Sequence, residues 1–355
     1  MTTHKLNEIA HQEKIIIAGP CSAESREQVL SVATALRSAG VGIMRAGVWK
    51  PRTKPDSFEG AGDVALEWLR EAKAQSGLPI ATEVATPEHA LKAIEAGVDV
   101  LWIGARTTSN PFSVQAIAEV LSGCDTPVLI KNPVNADVEL WTGAVERLQR
   151  CGVKNIGLIH RGFSGYEVAS AYRNTPLWQV ALEMKRRMPQ LPMICDPSHI
   201  CGNRTGLLEV AQRAADLDYA GVMIESHPSP EEALSDATQQ ITPNELEQLL
   251  GEIIWRRTEA EESLCKEELE RLRGAIDRLD EEIFSLLAQR MDIAEDIGRL
   301  KLQNNLTILQ SGRWQEVVQR VIARTDSLGL GRPCVEQILE AIHIESIERQ
   351  NKIMH

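Results

Sequence analysis

From residue 14 to about residue 255, short runs of β-branched apolar residues alternate with Ala/Leu-rich stretches of helical spacing. The runs lie at 15–18, 42–46, 80–84, 100–105, 128–131, 156–160, 193–195 and 222–225. Between them Gly40, Gly97 and Gly152 stand where helices close, since glycine accepts the left-handed backbone that ends a helix. Thr86-Pro-Glu-His89, Ser229-Pro-Glu-Glu232 and Thr242-Pro-Asn-Glu245 each place a capping hydroxyl before a proline at the first helical position. The last two complete a Ser/Thr-x-x-Glu box. Eight strand-helix alternations in about 250 residues predict a closed (β/α)8 barrel, with an open doubly wound sheet as the alternative. The barrel is favoured by where polar residues fall, at or just after the C-terminal ends of the runs: Cys21, Arg45 to Thr53, Glu83, Arg106, Lys131, Arg161, Asp196 with His199, and Glu225 with Asp236. That end is the active face of such a barrel.

Past Trp255 the punctuation by glycine and β-branched residues stops. The expected division is a barrel domain over 1–255, a charged linker over 256–264 and an all-α domain over 265–355. In the last of these, Leu269, Leu272, Ile276, Leu279, Ile283, Leu286, Ala294, Ile297 and Leu300 largely keep three-four spacing on one helix of more than thirty residues. Two shorter helices are expected near 313–323 and 335–353. Three helices of such unequal length cannot easily bury that stripe, so the tail is expected to dimerise.

Composition narrows the function. The 355 residues are 43% hydrophobic and 25% charged, with a formal net charge of −12. An acidic chain lacks the basic face that nucleic acid requires. The first twenty residues carry no secretion-signal pattern and no apolar run reaches membrane-spanning length, which predicts a cytoplasmic protein with no membrane partner. Seven scattered cysteines read as reduced thiols. Against the overall sign, Arg45, Lys50, Arg52 and Thr53 form a local cation cluster suited to phosphate oxygens.

Closing a barrel sets its eighth strand beside the seventh and first, so Cys21, His199, Glu225 and Asp236 converge. A thiolate, an imidazole and two carboxylates make a candidate divalent-metal site suited to Mn, Fe, Zn or Cu rather than Mg. Arg45, Lys50, Arg52, Arg106, Lys131 and Arg161 come from the other side of the same mouth and predict substrates carrying more than one phosphate or carboxylate. In the tail, Arg290 and Lys301 are three helical turns apart on one face, roughly 16 Å along the axis, and can converge on a small anion. Arg273, about 25 Å from Arg290, reaches such a ligand only from the other chain of an antiparallel dimer. Ser346 and Gln350, four residues apart, add a neutral polar pair. A solvated dimerisation arm is the alternative for this segment.

Several motifs over residues 14–255 carry a resemblance: Ala18-Gly-Pro-Cys-Ser-Ala-Glu-Ser25, Lys50-Pro-Arg-Thr53, Ile103-Gly-Ala-Arg106, Leu129-Ile-Lys-Asn132, Asp196-Pro-Ser-His199 and Met223-Ile-Glu-Ser-His227. This part resembles the type I beta 3-deoxy-D-arabino-heptulosonate 7-phosphate (DAHP) synthases, which condense phosphoenolpyruvate with erythrose 4-phosphate and depend on a divalent metal. The resemblance implies metal ligation by Cys21, His199, Glu225 and Asp236. It implies phosphoenolpyruvate binding by Arg45, Lys50, Arg106, Lys131 and Arg161, erythrose 4-phosphate binding by Arg52 and Thr53, and catalytic roles for Lys50 and Lys131. Lys-Pro-Arg-Thr distinguishes it from the octulosonate 8-phosphate synthases, which have Lys-Ala-Asn-Arg there. Lys54 replaces the usual Ser, and His160-Arg-Gly-Phe163 stands where Glu-Arg-Gly is usual. Only about a dozen residues precede the first strand, so no N-terminal regulatory domain is expected.

Residues 265–355 are similar to the all-helical chorismate mutases. That resemblance implies chorismate as substrate, carboxylate contacts from Arg290, Arg313 and Arg273 of the partner subunit, and catalytic bonds from Lys301 and Gln350 to the ether oxygen, with Ser346 in the site. Gln310 and Trp314 occupy positions where acidic residues commonly contact the chorismate hydroxyl. The expected protein is thus a bifunctional, dimeric or larger enzyme, with prephenate from the tail as a candidate inhibitor of the synthase. A synthase carrying a non-catalytic effector-binding module is the alternative.

Overall fold

The structure is a computed structural model that describes residues 5–50, 58–165, 171–259 and 262–354. The chain divides into two compact units, Met1–Thr258 and Glu259–His355. The first is a closed barrel of parallel strands β1 (Ile15–Gly19), β2 (Ile43–Arg45), β3 (Ile80–Val84), β4 (Val100–Ile103), β5 (Val128–Lys131), β6 (Ile156–His160), β7 (Met193–Cys195) and β8 (Gly221–Glu225). β8 pairs with β1 in continuous register from Ile15↔Gly221 to Gly19↔Glu225, which closes the sheet and excludes the open alternative.

Strand side chains alternate between two cores. Ile15, Ile17, Ile43, Trp102, Leu129, Ile159, Ile194 and Met223 fill the barrel, joined by Leu6 and Ala10 of the helix Lys5–Ala10. The opposite strand faces pack against the surrounding helices, where Met44, Leu101, Ile130, Leu158 and Ile224 are fully buried. Continuous burial on both faces explains why the strands read as unbroken apolar runs.

Local signals mostly act as expected. Thr86 accepts from the backbone N–H of His89, and Thr242 forms the full box with Glu245. Gly40, Gly97 and Gly152 have φ of 78°, 78° and 87°. Ser229 is an exception: it precedes only a one-turn 3-10 segment, Pro230–Glu232, and its side chain caps nothing. Its backbone N–H donates instead to His227 Nδ1, and the chain beyond is drawn back to the barrel mouth by Leu234 N–H to Glu24 Oε1 at 2.9 Å and Ser235 to Ser22 at 2.9 Å. The fourth run also ends early, because Ala105–Thr108 turns into a short helix that carries Arg106.

The second unit holds the long helix Ser263–Gln303, the helix Ser311–Ile322, a short turn of helix Thr325–Leu328 and the helix Arg332–Met354. The short helix is additional to the three expected. Met291, Ala294, Gly298 and Lys301 form the buried face of the long helix. Ala294 therefore belongs to this inward face rather than to the outer stripe. Leu269, Leu272, Ile276, Leu279, Ile283, Leu286, Ile293, Ile297 and Leu300 are all exposed within this chain.

Candidate functional site

β1, β7 and β8 and the loops that follow them deliver the expected metal donors to one side of the mouth. Ligand atoms of Cys21, Glu225 and Asp236 all lie within 4.8 Å of one another, with Cys21 Sγ 3.4 Å from Asp236 Oδ2. His199 does not join that mutual set, but its Nε2 stands 3.7 Å from Glu225 Oε1. Its Nδ1 lies 3.0 Å from Asp196 Oδ1, a contact that fixes the ring and leaves Nε2 facing the cluster. The donor set fits a transition-metal ion: it mixes sulfur, nitrogen and oxygen, and Glu225 Oε1 is a fully buried carboxylate oxygen with no hydrogen-bond partner among the described residues. Burial, reinforced by Glu225, pushes the Cys21 thiol up to about 12. Burial would raise the Glu225 carboxyl too, but His199 and Arg45 outweigh it and hold it below its usual range. Asp236 takes a positive φ of 47°, uncommon for a residue other than glycine and frequent at functional sites.

The cation wall adjoins this cluster rather than facing it across the mouth. Arg45 is completely buried, with its guanidinium 4.9 Å from the Trp102 ring centre. Its Nη2 donates to the Cys21 carbonyl at 3.1 Å and sits 3.3 Å from Glu225 Oε1, while Nε and Nη1 have no partner among the described residues. Lys131 Nζ donates to Asp196 Oδ2 at 2.8 Å. Arg106, Lys131 and Arg161 line a cavity of 280 Å³ together with Glu83, Arg173, Asn174 and His199. Burial draws the Arg161 guanidinium down to about 10, against the pull of Asp196 and with repulsion from Arg173 and Arg106 adding to it. Lys50 folds back on the same mouth: a Cβ on Gly47 would stand 2.6 Å from Lys50 Nζ and 2.8 Å from the Cys21 carbonyl, so only glycine leaves it room. Arg52 and Thr53 lie outside the described residues.

In the helical unit, Arg290 Nη1 donates to Ser346 Oγ at 2.5 Å, and Lys301 Nζ donates to Gln350 Oε1 at 3.0 Å and to the Ile308 carbonyl at 2.5 Å. The long and last helices thus bring these four residues together. Arg273 and Arg313 do not join them: each is exposed and paired with a carboxylate on its own helix, Glu270 and Glu316. Trp314 stacks on His343 of the last helix at 3.8 Å.

Residues 5–262 match the model of the DAHP synthetase I family. The chain belongs to that family. Residues 272–351 match chorismate mutase type II. A phospho-2-dehydro-3-deoxyheptonate aldolase of Thermotoga maritima is 36% identical over 238 residues, covering 67% of this chain and 68% of the relative. A crystal structure of the Thermotoga maritima DAHP synthase superposes with a TM-score of 0.61 at 33% identity, covering 68% of both chains. A 2-dehydro-3-deoxyphosphooctonate aldolase of Nitratidesulfovibrio vulgaris is more distant, 28% identical over 68% of this chain and 90% of its own. The chain is therefore a DAHP synthase joined to a chorismate mutase, a bifunctional enzyme of the shikimate pathway acting on the substrates of both.

Several residues of the DAHP synthase mouth escaped sequence reasoning. Trp102 forms part of its floor, donating from Nε1 to Glu83 Oε2 at 2.9 Å, yet in sequence it is one more apolar residue of a strand. Gln239 donates to Glu225 Oε2 at 2.6 Å, and Gln240 accepts from the Cys21 backbone N–H at 2.9 Å. The adjacent amides after Asp236 were the available signal. His160, at the departure from the family's Glu-Arg-Gly, faces outward between Tyr219 and the Pro176 carbonyl and leaves Arg161 on the cavity wall.

Proposed function

We propose that Cys21, His199, Glu225 and Asp236 hold a divalent metal ion and that Arg45, Lys50, Arg106, Lys131 and Arg161 bind phosphoenolpyruvate, with Arg52 and Thr53 taking the phosphate of erythrose 4-phosphate. The reading is carried by Arg45, a fully buried cation whose Nε and Nη1 have no hydrogen-bond partner among the described residues. Beside it, Glu225 Oε1 is a buried oxygen that accepts no hydrogen bond among them and is balanced only by the Arg45 ion pair and His199. Buried groups so placed call for an anion and a cation respectively. When bound, a divalent ion polarises the aldehyde as a Lewis acid. The cation wall fixes phosphoenolpyruvate so that its C3 faces that carbon, and positioning supplies much of the rate. C3 attacks the aldehyde carbon, and Lys131 Nζ, hydrogen-bonded to Asp196, holds the proton that the new hydroxyl takes. Water adds at C2 of the former phosphoenolpyruvate, and phosphate departs by C–O cleavage. Following phosphoenolpyruvate loss with erythrose 4-phosphate tests the metal role: activity disappears in chelator, returns with Mn, and in Cys21→Ala no longer responds to metal. Full activity in chelator overturns it.

In the mutase, Arg290, Arg313 and Arg273 of the partner subunit hold the two carboxylates of chorismate, and Lys301 and Gln350 bond the ether oxygen. A pericyclic rearrangement needs only a cage matched to the developing charge. The long helix supports a homodimer, because its exposed Leu269, Leu272, Ile276, Leu279, Ile283 and Leu286 keep strict three-four spacing, the seam of a helix pair. Lys301→Ala is expected to lose chorismate turnover by a factor of 100 or more, roughly the scale of one electrostatic contact to the transition state; unchanged turnover refutes the assignment. Prephenate, formed in the tail, serves as feedback inhibitor of the barrel. No helix among the described residues is long and apolar enough to cross a membrane, and a cytoplasmic location fits the substrates.

A further inference from the structure

Arg173 was singled out by no motif, yet it touches both halves of the synthase mouth. Its Nη1 donates to Asp236 Oδ1 at 3.1 Å and to Gln239 Oε1 at 2.8 Å. Asp236 turns its other oxygen, Oδ2, toward Cys21 Sγ, so one carboxylate joins the metal cluster to Arg173. Gln239 in turn donates to Glu225, which ties Arg173 to a second donor of the same cluster. The same side chain lines the 280 Å³ cavity with Arg106, Lys131 and Arg161, and the two hydrogen bonds to Asp236 and Gln239 both leave from its Nη1. Lys131 and Arg173 are paired with Asp196 and Asp236, yet the four cations share one small cavity wall, and Arg161 registers repulsion from both Arg173 and Arg106. Such a cluster is relieved by an anion.

We propose that Arg173 binds a phosphate group of a synthase substrate and, through Asp236, links that binding to occupancy of the metal site. The inference rests on the metal assignment above. The physical basis is competition for one guanidinium. With Asp236 fully anionic, Arg173 is held to it; when a cation shares the carboxylate's charge, that pair weakens and the guanidinium turns its donors to the substrate anion. Linkage is reciprocal, so the anion also tightens the metal.

Arg173 is half-exposed, so replacing it leaves the barrel core untouched. The test titrates phosphoenolpyruvate, and separately erythrose 4-phosphate, calorimetrically into the full chain with Mn and with chelator. Free Mn is counted by electron paramagnetic resonance. Arg173→Gln is expected to weaken one of the two substrates on the order of tenfold in the Mn-loaded protein and no more than about twofold in chelator, with partial rescue by Arg173→Lys. Whichever substrate weakens identifies the phosphate. In parallel, the substrate's tightening of Mn should shrink in Arg173→Gln. Unchanged affinities in the variant, or equal losses with and without Mn, overturn the proposal. Failure of the wild-type chain to take up Mn at all overturns the metal assignment instead, so the two failures are distinct.

Discussion

At the scale of single residues, His160 shows how one side chain can be essential to the barrel without entering its chemistry. It is fully buried at the end of β6, with Nδ1 2.9 Å from the Tyr219 hydroxyl and Nε2 2.6 Å from the Pro176 carbonyl. Burial pushes its pKa down to about 4, although the Pro176 carbonyl opposes this. A pKa lower in the folded state than in the unfolded chain means that stability is fully present above pH 6.5 and is lost as pH falls toward 4. At pH 4.5 the loss from this residue is about 2 to 3 kcal/mol, from 1.36 kcal/mol per unit. Urea midpoints at pH 7.5 and 4.5 check this: His160→Gln should show a smaller drop between the two than wild type, and an identical drop would assign the acid sensitivity elsewhere. His160 was legible in sequence only as a departure from a motif; its outward direction follows from strand alternation once Ile159 is seen inside the barrel. The same limit hid Arg173 and Trp102. Their partners, Asp236 and Glu83, lie 63 and 19 residues away, and no local spacing announces such pairs.

At the scale of elements, the strands were legible because burial on both faces leaves an unbroken apolar run, and their order followed from count alone. Element ends were less so: Ser229 carries the right capping sequence, but its loop is claimed by tertiary bonds to Glu24 and Ser22. In the long helix, three-four spacing was legible while the division of its faces was not, since Ala294 reads equally well on either. Gly298 makes the consequence testable. A Cβ there would lie 3.2 Å from Gln350 Cα, so glycine lets the last helix approach closely enough for Lys301 and Gln350 to meet. Glycine inside a helix costs about 1 kcal/mol relative to alanine, which close approach offsets. Gly298→Val should force the helices apart at about 1–3 kcal/mol and lower chorismate turnover at least tenfold, leaving phosphoenolpyruvate consumption unchanged. Paired assays on one preparation measure both; equal loss of the two activities would mean the substitution unfolds the chain rather than separating two helices.

At the scale of the whole molecule, two enzymes on one polypeptide need not influence each other. If prephenate bound in the helical unit lowers phosphoenolpyruvate consumption by shifting an equilibrium of the barrel, the effect carries a coupling free energy, and phosphoenolpyruvate must then weaken prephenate by the same factor. Direct competition at the barrel mouth, where prephenate's two carboxylates would meet the cation wall, is equally reciprocal, so the location of the prephenate site must be tested as well. Calorimetric titration of prephenate into the full chain, with and without saturating Mn and phosphoenolpyruvate, should show affinity weakened about fivefold or more when the barrel is filled, at unchanged stoichiometry. Arg290→Ala should abolish this binding if prephenate occupies the proposed helical site, because Arg290 belongs to the helical unit and pairs there with Ser346. Binding that survives Arg290→Ala but is lost on adding phosphoenolpyruvate would place prephenate in the barrel itself. Equal affinity in both conditions would leave two activities that share a chain without sharing free energy.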